Sequence, residues 1–339
     1  MRRRFVALLC GSVVLGAASA SRGTETREFR YLMGTSVQVA VFGGDEVARK
    51  AAIAEAFAAI EEVDRLMSNY REDSELALIN ARAAKGPVPV SAPMFSVLEA
   101  AKLISSKSRG AFDVTVGPLV KLWGFHDKKP HLPTPAELTG VRPLISNANL
   151  ILDVPGRSVR FAREGVELDL GGIAKGFAVE LAGGVIRRRG LRAFIDAGGN
   201  QYMVGSPDGK PRWTLGIKDP EAPEHLLATI DVDEGSVSTS AQGSNFLTAG
   251  GRKYGHILDP RTLEPAAARL SVTVVSKDAT LGDALSKVGF LLGPREALAV
   301  IESFPETSAI IFFRDENGAL HSVASRALQP YLERTTPPR

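Results

Sequence analysis

The stretch TSVQVAVFGGDEVARKAAIAEAFAAIEEVDRLM, residues 35–67, predicts a strand followed directly by a helix. Its first eight residues alternate between polar and apolar side chains, which is typical of a half-buried strand, and two glycines end the alternation. Asp45 is placed to cap the helix, in which Ile53, Phe57 and Ile60 recur at three- and four-residue steps. The fold therefore combines strands with amphipathic helices.

The rest of the chain contains both element types. Further helices are predicted over residues 91–110, 172–189, 281–292 and 294–303. A hairpin is predicted to turn at Pro155-Gly156, and alternating runs predict strands at residues 212–218, 227–232, 236–240 and 270–276. Because the strands mostly follow one another, we predict an α+β fold: a single compact domain with a mixed, largely antiparallel sheet and flanking helices.

The first twenty residues have the pattern of an export signal. Three arginines precede an apolar stretch from Phe5 to Leu15, which is too short to span a bilayer, and Ala18-Ser19-Ala20 supplies small residues at a cleavage point. We therefore predict a signal peptide over residues 1–20 and a domain over residues 21–339. The arginines fit both the twin-arginine and the general secretory pattern, and either route leads to the periplasm.

Composition excludes several classes of function for the exported chain. Of 339 residues, 44% are hydrophobic and 23% are charged, which suits a soluble globule with a substantial core. Removing the three leader arginines takes the formal charge from +3 to 0, so no nucleic-acid partner is expected. Cys10 is the only cysteine and lies in the leader, so the mature chain is expected to have no thiol nucleophile and no transmembrane helix.

The segment LDLGGIAKGF, residues 168–177, predicts a strand, a pair of glycines and a helix start. Glycines allow a ligand to approach the backbone, and the free amides of a helix start attract phosphate, with Lys175 adding a positive charge. The alternative is a tight strand-to-helix turn with a solvated lysine.

Three other segments contain candidate acids and bases. Asp113 and Thr115, within GAFDVTVGPLVKLWGF, can lie at the edge of an aromatic cavity or belong to the core and a turn. Asp283 can stabilise a helix start, pair with Lys287 one turn later, or bind a hard cation. In HILDPRT, residues 256–262, the His256 imidazole beside the Asp259 carboxylate suits a general base. The alternative is that Asp259 only caps a turn before Pro260.

These segments occur together with several others in one order. They are MGT (33–35), SNY (68–70), SEL (74–76) with Asn80, GAFDVTVGPLVKLWGF (110–125), LDLGGIAKG (168–176), DAGGN (196–200), HILDPRT (256–262) and GDALS (282–286). This order, over roughly residues 30 to 315, resembles the bacterial flavin transferases, the FAD:protein FMN transferases once labelled thiamine biosynthesis lipoproteins.

The resemblance implies a fold with FAD in a cleft and a Mg²⁺-dependent reaction. In that reaction a threonine or serine hydroxyl of another protein attacks the FMN phosphorus, and AMP leaves. The acceptors implied are subunits of membrane electron-transfer complexes that face the periplasm. The FAD contacts it implies are Met33, Tyr70, Ala111, Phe112, Asp113, Asp169, Lys175, His256 and Ile257.

The resemblance also implies how FAD is oriented and where the metal binds. Tyr70 would stack near the isoalloxazine, and His256 or Asp259 would take the hydroxyl proton, with His256 preferred. The metal would be held by the Gly172 carbonyl and Asp283, with Ser286 close by.

The sequence departs from the family pattern at three positions. Lys287 lies where the family usually has a threonine that helps to bind the cation, so its ammonium is expected to repel Mg²⁺ or to occupy its place. Ala241 and Leu263 stand where glycine is frequent, and a turn that needs a positive φ is harder for either residue. Three activities stay open: FMN transfer, FAD binding without catalysis, and FAD hydrolysis to FMN and AMP.

Overall fold

A computed structural model describes residues 25–127, 129, 131–207, 209–241, 246–249, 252–266 and 271–334. The predicted signal peptide lies outside these residues, so its assignment stays a prediction. In the part of the chain that the structure describes, no helix has the length and apolar character needed to cross a membrane.

Strands and helices alternate irregularly along the described residues. The strands are β1 (Glu25–Leu32), β2 (Thr35–Phe42), β3 (Val88–Pro89), β4 (Leu150–Asp153), β5 (Ser158–Phe161), β6 (Arg192–Ala197), β7 (Asn200–Val204), β8 (Trp213–Lys218), β9 (Leu226–Val232), β10 (Gly235–Ala241), β11 (Phe246–Ala249), β12 (Arg252–Gly255), β13 (Ser271–Ser276), β14 (Thr307–Arg314), β15 (Leu320–Ala324) and β16 (Leu332–Arg334). The α-helices are α1 (Glu46–Met67), α2 (Glu75–Arg82), α3 (Ala92–Lys107), α4 (Gly117–Leu122), α5 (Pro135–Val141), α6 (Ala174–Arg188), α7 (Ala279–Leu291) and α8 (Pro294–Glu302).

The largest sheet has eight strands in the order β1-β2-β6-β7-β10-β13-β14-β15, and each neighbouring pair is antiparallel. Smaller antiparallel sheets are formed by β16-β9-β8, by β3-β5-β4 and by β11-β12. The predicted α+β fold with a largely antiparallel sheet and flanking helices is therefore confirmed.

Strand alternation places the large sheet between two apolar layers. In β6, Ala193 and Ile195 belong to the main core, which also contains Phe57 of α1 and Leu285 of α7. Phe194, between them, points to a second core that it shares with the small sheet of β8 and β9. Because side chains in a strand alternate between the two faces, one strand contributes to both layers.

The opening stretch folds as its pattern predicts. Strand β2 has the expected bounds, and Asp45 caps α1 by accepting a hydrogen bond from the Ala48 amide at 2.7 Å. The strand before it, β1, is absent from the sequence prediction because it is an edge strand with few apolar residues.

The DAGGN motif forms the tight hairpin between β6 and β7, which the sequence prediction missed. Gly198 and Gly199 have φ values of 61° and 90°, and a two-residue hairpin loop with both φ values positive favours glycine. A Cβ on Gly198 would lie 2.6 Å from Thr35 Oγ1, so this turn also packs against the MGT motif.

Candidate functional site

The site begins where helices α6 and α7 touch. A Cβ on Gly176 would lie 2.1 Å from the carbonyl oxygen of Ala279 and 2.7 Å from Cβ of Asp283, so only glycine permits this approach. The Gly176 amide donates to Asp283 Oδ2 at 2.9 Å. These contacts join the LDLGGIAKG and GDALS motifs, which are far apart in sequence.

Asp283 and Lys287 form an ion pair at this junction. Asp283 is fully buried, whereas the Lys287 side chain is 18% exposed. The Lys287 ammonium contacts Asp283 Oδ1 and also donates to the Asp283 carbonyl at 2.9 Å. Burial lowers the pKa of Lys287, and Lys175 acts in the same direction against the attraction of Asp283.

Asp283 does not stabilise the start of its own helix, so that alternative is wrong. It is the fifth residue of α7, and Asp278 caps this helix by accepting from the Leu281 amide at 2.8 Å. Asp283 instead accepts from the first turn of α6. The other alternative, the pair with Lys287, is confirmed.

Side-chain hydrogen bonds hold the glycine-rich segment in place. Asp169 Oδ1 accepts from the Gly171 amide at 2.8 Å, and Lys175 Nζ donates to the Gly171 carbonyl at 2.9 Å. Asn80 binds both the amide and the carbonyl of Leu168, at 2.8 and 3.0 Å. Lys175 is therefore a positioned lysine at the start of α6 rather than a freely solvated one.

Gly172 lies between Phe112 and the ion pair. A Cβ at this glycine would come within 3.2 Å of Phe112 Cε2 and 4.0 Å of Lys287 Cγ. The structure thus brings Phe112, Gly172, Lys175 and Lys287 to one place. Ala111, next to Phe112, is fully buried in the main core.

Aromatic side chains extend the site toward β1. Tyr70 is 69% exposed and stacks on His126, with ring centroids 5.2 Å apart and an angle of 21° between the planes. Burial of part of its surface and the negative charge of Asp169 raise the pKa of Tyr70, and Tyr31 contributes in the same direction. The sequence reasoning missed His126 and Tyr31, although His126 directly follows the LWGF segment.

The MGT motif forms the turn between β1 and β2. Met33 has a φ of 51° and Gly34 a φ of 74°, and the Tyr31 hydroxyl donates to the Gly34 carbonyl at 3.0 Å. Met33 is half-buried against the main core. The turn therefore holds Tyr31 close enough to Tyr70 to affect its pKa.

Asp113 lies beside a separate hollow of about 450 Å³ that Arg109, Arg142 and Arg261 also line. Asp113 is buried, and its Oδ1 accepts from the amide and the hydroxyl of Thr115 at 2.9 and 2.8 Å. Burial raises the pKa of Asp113 above the usual range for aspartate.

The two candidate acid–base residues of the HILDPRT segment differ in exposure. Asp259 is buried, and Arg261 binds both of its carboxylate oxygens, from Nε at 3.0 Å and from Nη2 at 2.7 Å. Arg261 also donates to the Leu291 carbonyl at 3.0 Å, which ties this turn to the end of α7. His256 is exposed and Ile257 is half-buried against the main core. The geometry favours a structural role for Asp259 and leaves His256 accessible to solvent.

Leu263 shows the backbone conformation expected where the family has glycine. Its φ is 68° although its side chain is fully buried, and its carbonyl accepts from Trp123 Nε1 at 3.0 Å. Ala241 differs, since it ends strand β10 in regular pairing with Ser271 and has no positive φ.

Two of the three residues expected to bind Mg²⁺, Asp283 and Ser286, already have other partners. Asp283 Oδ1 binds Lys287 and Oδ2 binds the Gly176 amide, while Ser286 Oγ donates to the Asp283 carbonyl at 2.7 Å and shares a hydrogen bond with Ser240 Oγ at 2.7 Å. No group of three or more His, Cys, Asp or Glu side chains suited to a metal ion occurs among the described residues.

A Mg²⁺ ion entering here would compensate the charge of Asp283, but the displaced ammonium of Lys287 would stay close to the metal and repel it. The described residues do not fit a Mg²⁺ site, because Lys287 holds the position of the cation.

Comparison with known proteins identifies the family. The model of the ApbE family matches residues 33–312. The FAD:protein FMN transferase of Treponema pallidum is 32% identical over 329 residues, covering 92% of this chain and 90% of that protein, and one from Klebsiella pneumoniae (strain 342) is 32% identical over 307 residues, covering 88% and 93%.

Solved structures agree with these relatives. The crystal structure of the ApbE protein from Thermotoga maritima matches with a TM-score of 0.83 at 29% identity, covering 92% of this chain and all of that one. The flavin transferase ApbE of Vibrio cholerae gives 0.81 at 26% identity, covering 91% and 99%. The predicted resemblance is confirmed: this chain belongs to the ApbE family.

Proposed function

We propose that this chain transfers FMN from FAD to a threonine or serine hydroxyl of an acceptor protein and releases AMP. The observation that carries the proposal is the junction of α6 and α7, where Lys175 and Lys287 lie beside Gly172 and Phe112. Two positive charges at a glycine-lined helix start suit a diphosphate. Relatives that match nine-tenths of their own length bear the name FAD:protein FMN transferase.

The exposed aromatic residues suit the isoalloxazine of FAD. Tyr70 presents one face, and His126 packs behind it, so the ring is already positioned before a ligand binds. Met33, Phe112 and Ile257 add apolar contacts, while Asp169 offers a carboxylate acceptor for the polar parts of FAD. Ala111 contributes through its backbone, because its side chain is buried.

The reaction is a displacement at phosphorus. The acceptor hydroxyl oxygen forms a bond to the FMN phosphorus, the bond from that phosphorus to the oxygen of AMP breaks, and AMP leaves as a phosphate monoester. His256 takes the hydroxyl proton, since it is exposed and an imidazole can accept a proton at neutral pH. Asp259 is a weaker candidate for the base because Arg261 holds both of its oxygens.

The cellular setting belongs to the same proposal. The leader pattern in residues 1–20 supports export to the periplasm. The acceptor is then a periplasm-facing protein, and we favour a subunit of a membrane electron-transfer complex.

One assay tests transfer against the two other activities. The purified chain is incubated with FAD and a peptide that carries the acceptor threonine, and AMP, free FMN and peptide mass are followed together. We expect the peptide mass to rise by one FMN with an equal amount of AMP, and a peptide with valine in place of threonine to stay unlabelled. Free FMN without labelled peptide would establish hydrolysis, and bound, unchanged FAD would establish a binding protein.

Two variants test the roles of single residues. His256→Gln is expected to slow transfer by about 10²–10⁴-fold with FAD affinity retained. Tyr70→Ala is expected to weaken FAD binding by about tenfold. Tyr331→Ala removes another partly exposed tyrosine and serves as the control. Normal transfer by the glutamine variant would exclude His256 as the base.

A further inference from the structure

The ion pair of α7 leads to an inference about how the diphosphate is neutralised. We propose that Lys287 supplies this positive charge from within the chain, so that FAD binding and FMN transfer need no divalent metal. The part that concerns transfer rests on the proposed function, whereas the part that concerns metal binding can be tested without it.

The ammonium is fixed in place by the fold. It contacts one carboxylate oxygen of Asp283, and the other oxygen accepts from the Gly176 amide at 2.9 Å. It also donates to the Asp283 carbonyl at 2.9 Å. Because Asp283 is fully buried, this set of contacts ties the charge of Lys287 to the first turn of α6.

The Lys287 side chain is also partly accessible to a ligand. The Lys287 side chain is 18% exposed, and Asp283 accepts from two of its three N–H donors. Among the described residues no further acceptor for this ammonium is found. The third donor is therefore available to a phosphate oxygen.

The surrounding charges and volumes favour an anion over a second cation. Asp283, Lys287 and Lys175 together have a formal charge of +1, Lys175 is close enough to perturb Lys287, and the nearby carboxylate of Asp169 is engaged by the Gly171 amide. The stem of Lys287 and the ring of Phe112 occupy the space beside Gly172. A metal ion would have to enter between two lysines, whereas a phosphate oxygen would be attracted by both.

The chemistry balances without a metal or other co-reactant. The acceptor oxygen bonds to the FMN phosphorus, the bond to the AMP oxygen breaks, and the hydroxyl proton passes to His256. Lys287 keeps its proton and stabilises the negative charge on the phosphate oxygens.

The first test measures metal binding without flavin. Mn²⁺ is titrated into the wild-type chain, into Lys287→Thr, which restores an oxygen ligand and frees Asp283, and into Lys50→Thr. The last variant is a matched control, because Lys50 pairs with Glu46 at the same four-residue spacing on an exposed face of α1. Free Mn²⁺ is followed by electron paramagnetic resonance. We expect Lys287→Thr to bind one ion per chain and the other two proteins to bind none.

The second test measures FAD binding by flavin fluorescence, in excess EDTA and in millimolar MgCl₂. The wild-type affinity should agree within about twofold between the two conditions, whereas Lys287→Thr should bind at least about tenfold more tightly with Mg²⁺. Lys287→Met, which keeps the stem without the charge, should lose about tenfold or more of the affinity in EDTA. The wild-type comparison between EDTA and MgCl₂ needs no variant, so it keeps the test decisive if a Lys287 variant does not fold.

The outcomes separate this inference from the proposed function. Stoichiometric Mn²⁺ uptake by the wild-type chain, or loss of its FAD binding in EDTA, overturns the inference. Peptide labelling that requires Mg²⁺ also overturns it while establishing transfer. Metal-independent FAD binding without labelled peptide under any condition supports the inference and refutes the transferase function.

Discussion

Breaking the Asp283–Lys287 pair should destabilise the fold by an amount that depends on which partner is removed. Lys287→Met leaves a fully buried carboxylate that keeps its hydrogen bond to the Gly176 amide but has lost its counter-charge. Uncompensated buried charges cost about 3–5 kcal/mol. Asp283→Asn leaves a lysine whose side chain is 18% exposed and can turn toward water, so the loss of charge-assisted hydrogen bonds should cost less, about 2–3 kcal/mol.

The double variant should be more stable than the sum of the two losses predicts. It contains no buried charge at this junction, the amide oxygen introduced by Asp283→Asn can still accept from the Gly176 amide, and methionine retains the volume of the lysine stem. We therefore expect a coupling energy above about 2 kcal/mol between the two positions. The order of the single variants, with Lys287→Met the less stable, follows from the difference in exposure.

Equilibrium urea unfolding followed by tryptophan fluorescence measures all three variants, since Trp123 and Trp213 are both buried. The control cycle uses Glu46→Gln and Lys50→Met, a pair with the same spacing on the surface of α1. That pair should show a coupling close to the error of measurement. Equal couplings in the two cycles, or a double variant as unstable as the summed singles, would refute the assignment of a buried, mutually dependent pair.

Three further predictions concern the fold around the site. Gly176→Ala should cost about 3 kcal/mol or more in the free energy of unfolding, because its Cβ would lie 2.1 Å from a carbonyl oxygen of α7. Gly184→Ala in the same helix is the control: its Cβ meets nothing closer than 3.6 Å, so this variant should gain about 0.5–1 kcal/mol. Equal effects of the two substitutions in urea unfolding would contradict the contact between α6 and α7. Leu263→Gly relieves the strain of a left-handed backbone, worth about 1–2 kcal/mol, but removes a fully buried side chain, worth about 2–5 kcal/mol. We therefore expect a net loss in the free energy of unfolding. A stabilised variant would show that the backbone strain outweighs the buried side chain. Burial raises the pKa of Asp113, so the folded state retains this proton to a higher pH than the unfolded state, and the free energy of unfolding falls as the pH rises through the raised pKa. Asp113→Asn should therefore gain stability relative to wild type between about pH 4 and neutral pH. A difference in thermal unfolding that does not change with pH would exclude the ionisation of Asp113 as its cause.

The accuracy of the sequence predictions depended on how local the signal was. Strand β2 and helix α1 were predicted closely because alternation, periodicity and the Asp45 cap act within a few residues. Strand β1 was missed because an edge strand needs little apolar surface. Strand β6 was missed because apolar layers cover both of its faces, so Ala193, Phe194 and Ile195 show no alternation.

The site shows the same limit. Motif order indicated which segments meet, and the positions of Phe112, Gly172 and Lys175 agree with it. His126 lies behind Tyr70 because residues distant in sequence meet there, which no spacing rule indicates. Asp259 and its arginine partner are two residues apart, yet only the folded turn shows that both carboxylate oxygens are engaged.

The sequence by itself determined the family, strand β2, helix α1 and the four-residue spacing that lets Asp283 meet Lys287, because helix geometry fixes that distance. Only the tertiary structure decided that the pair is buried and that Asp283 also binds the Gly176 amide of another helix. The physical reason is that desolvation and contacts between helices depend on the packing of the whole domain. A surface pair with the same spacing, Glu46 and Lys50, differs from this one chiefly in its surroundings.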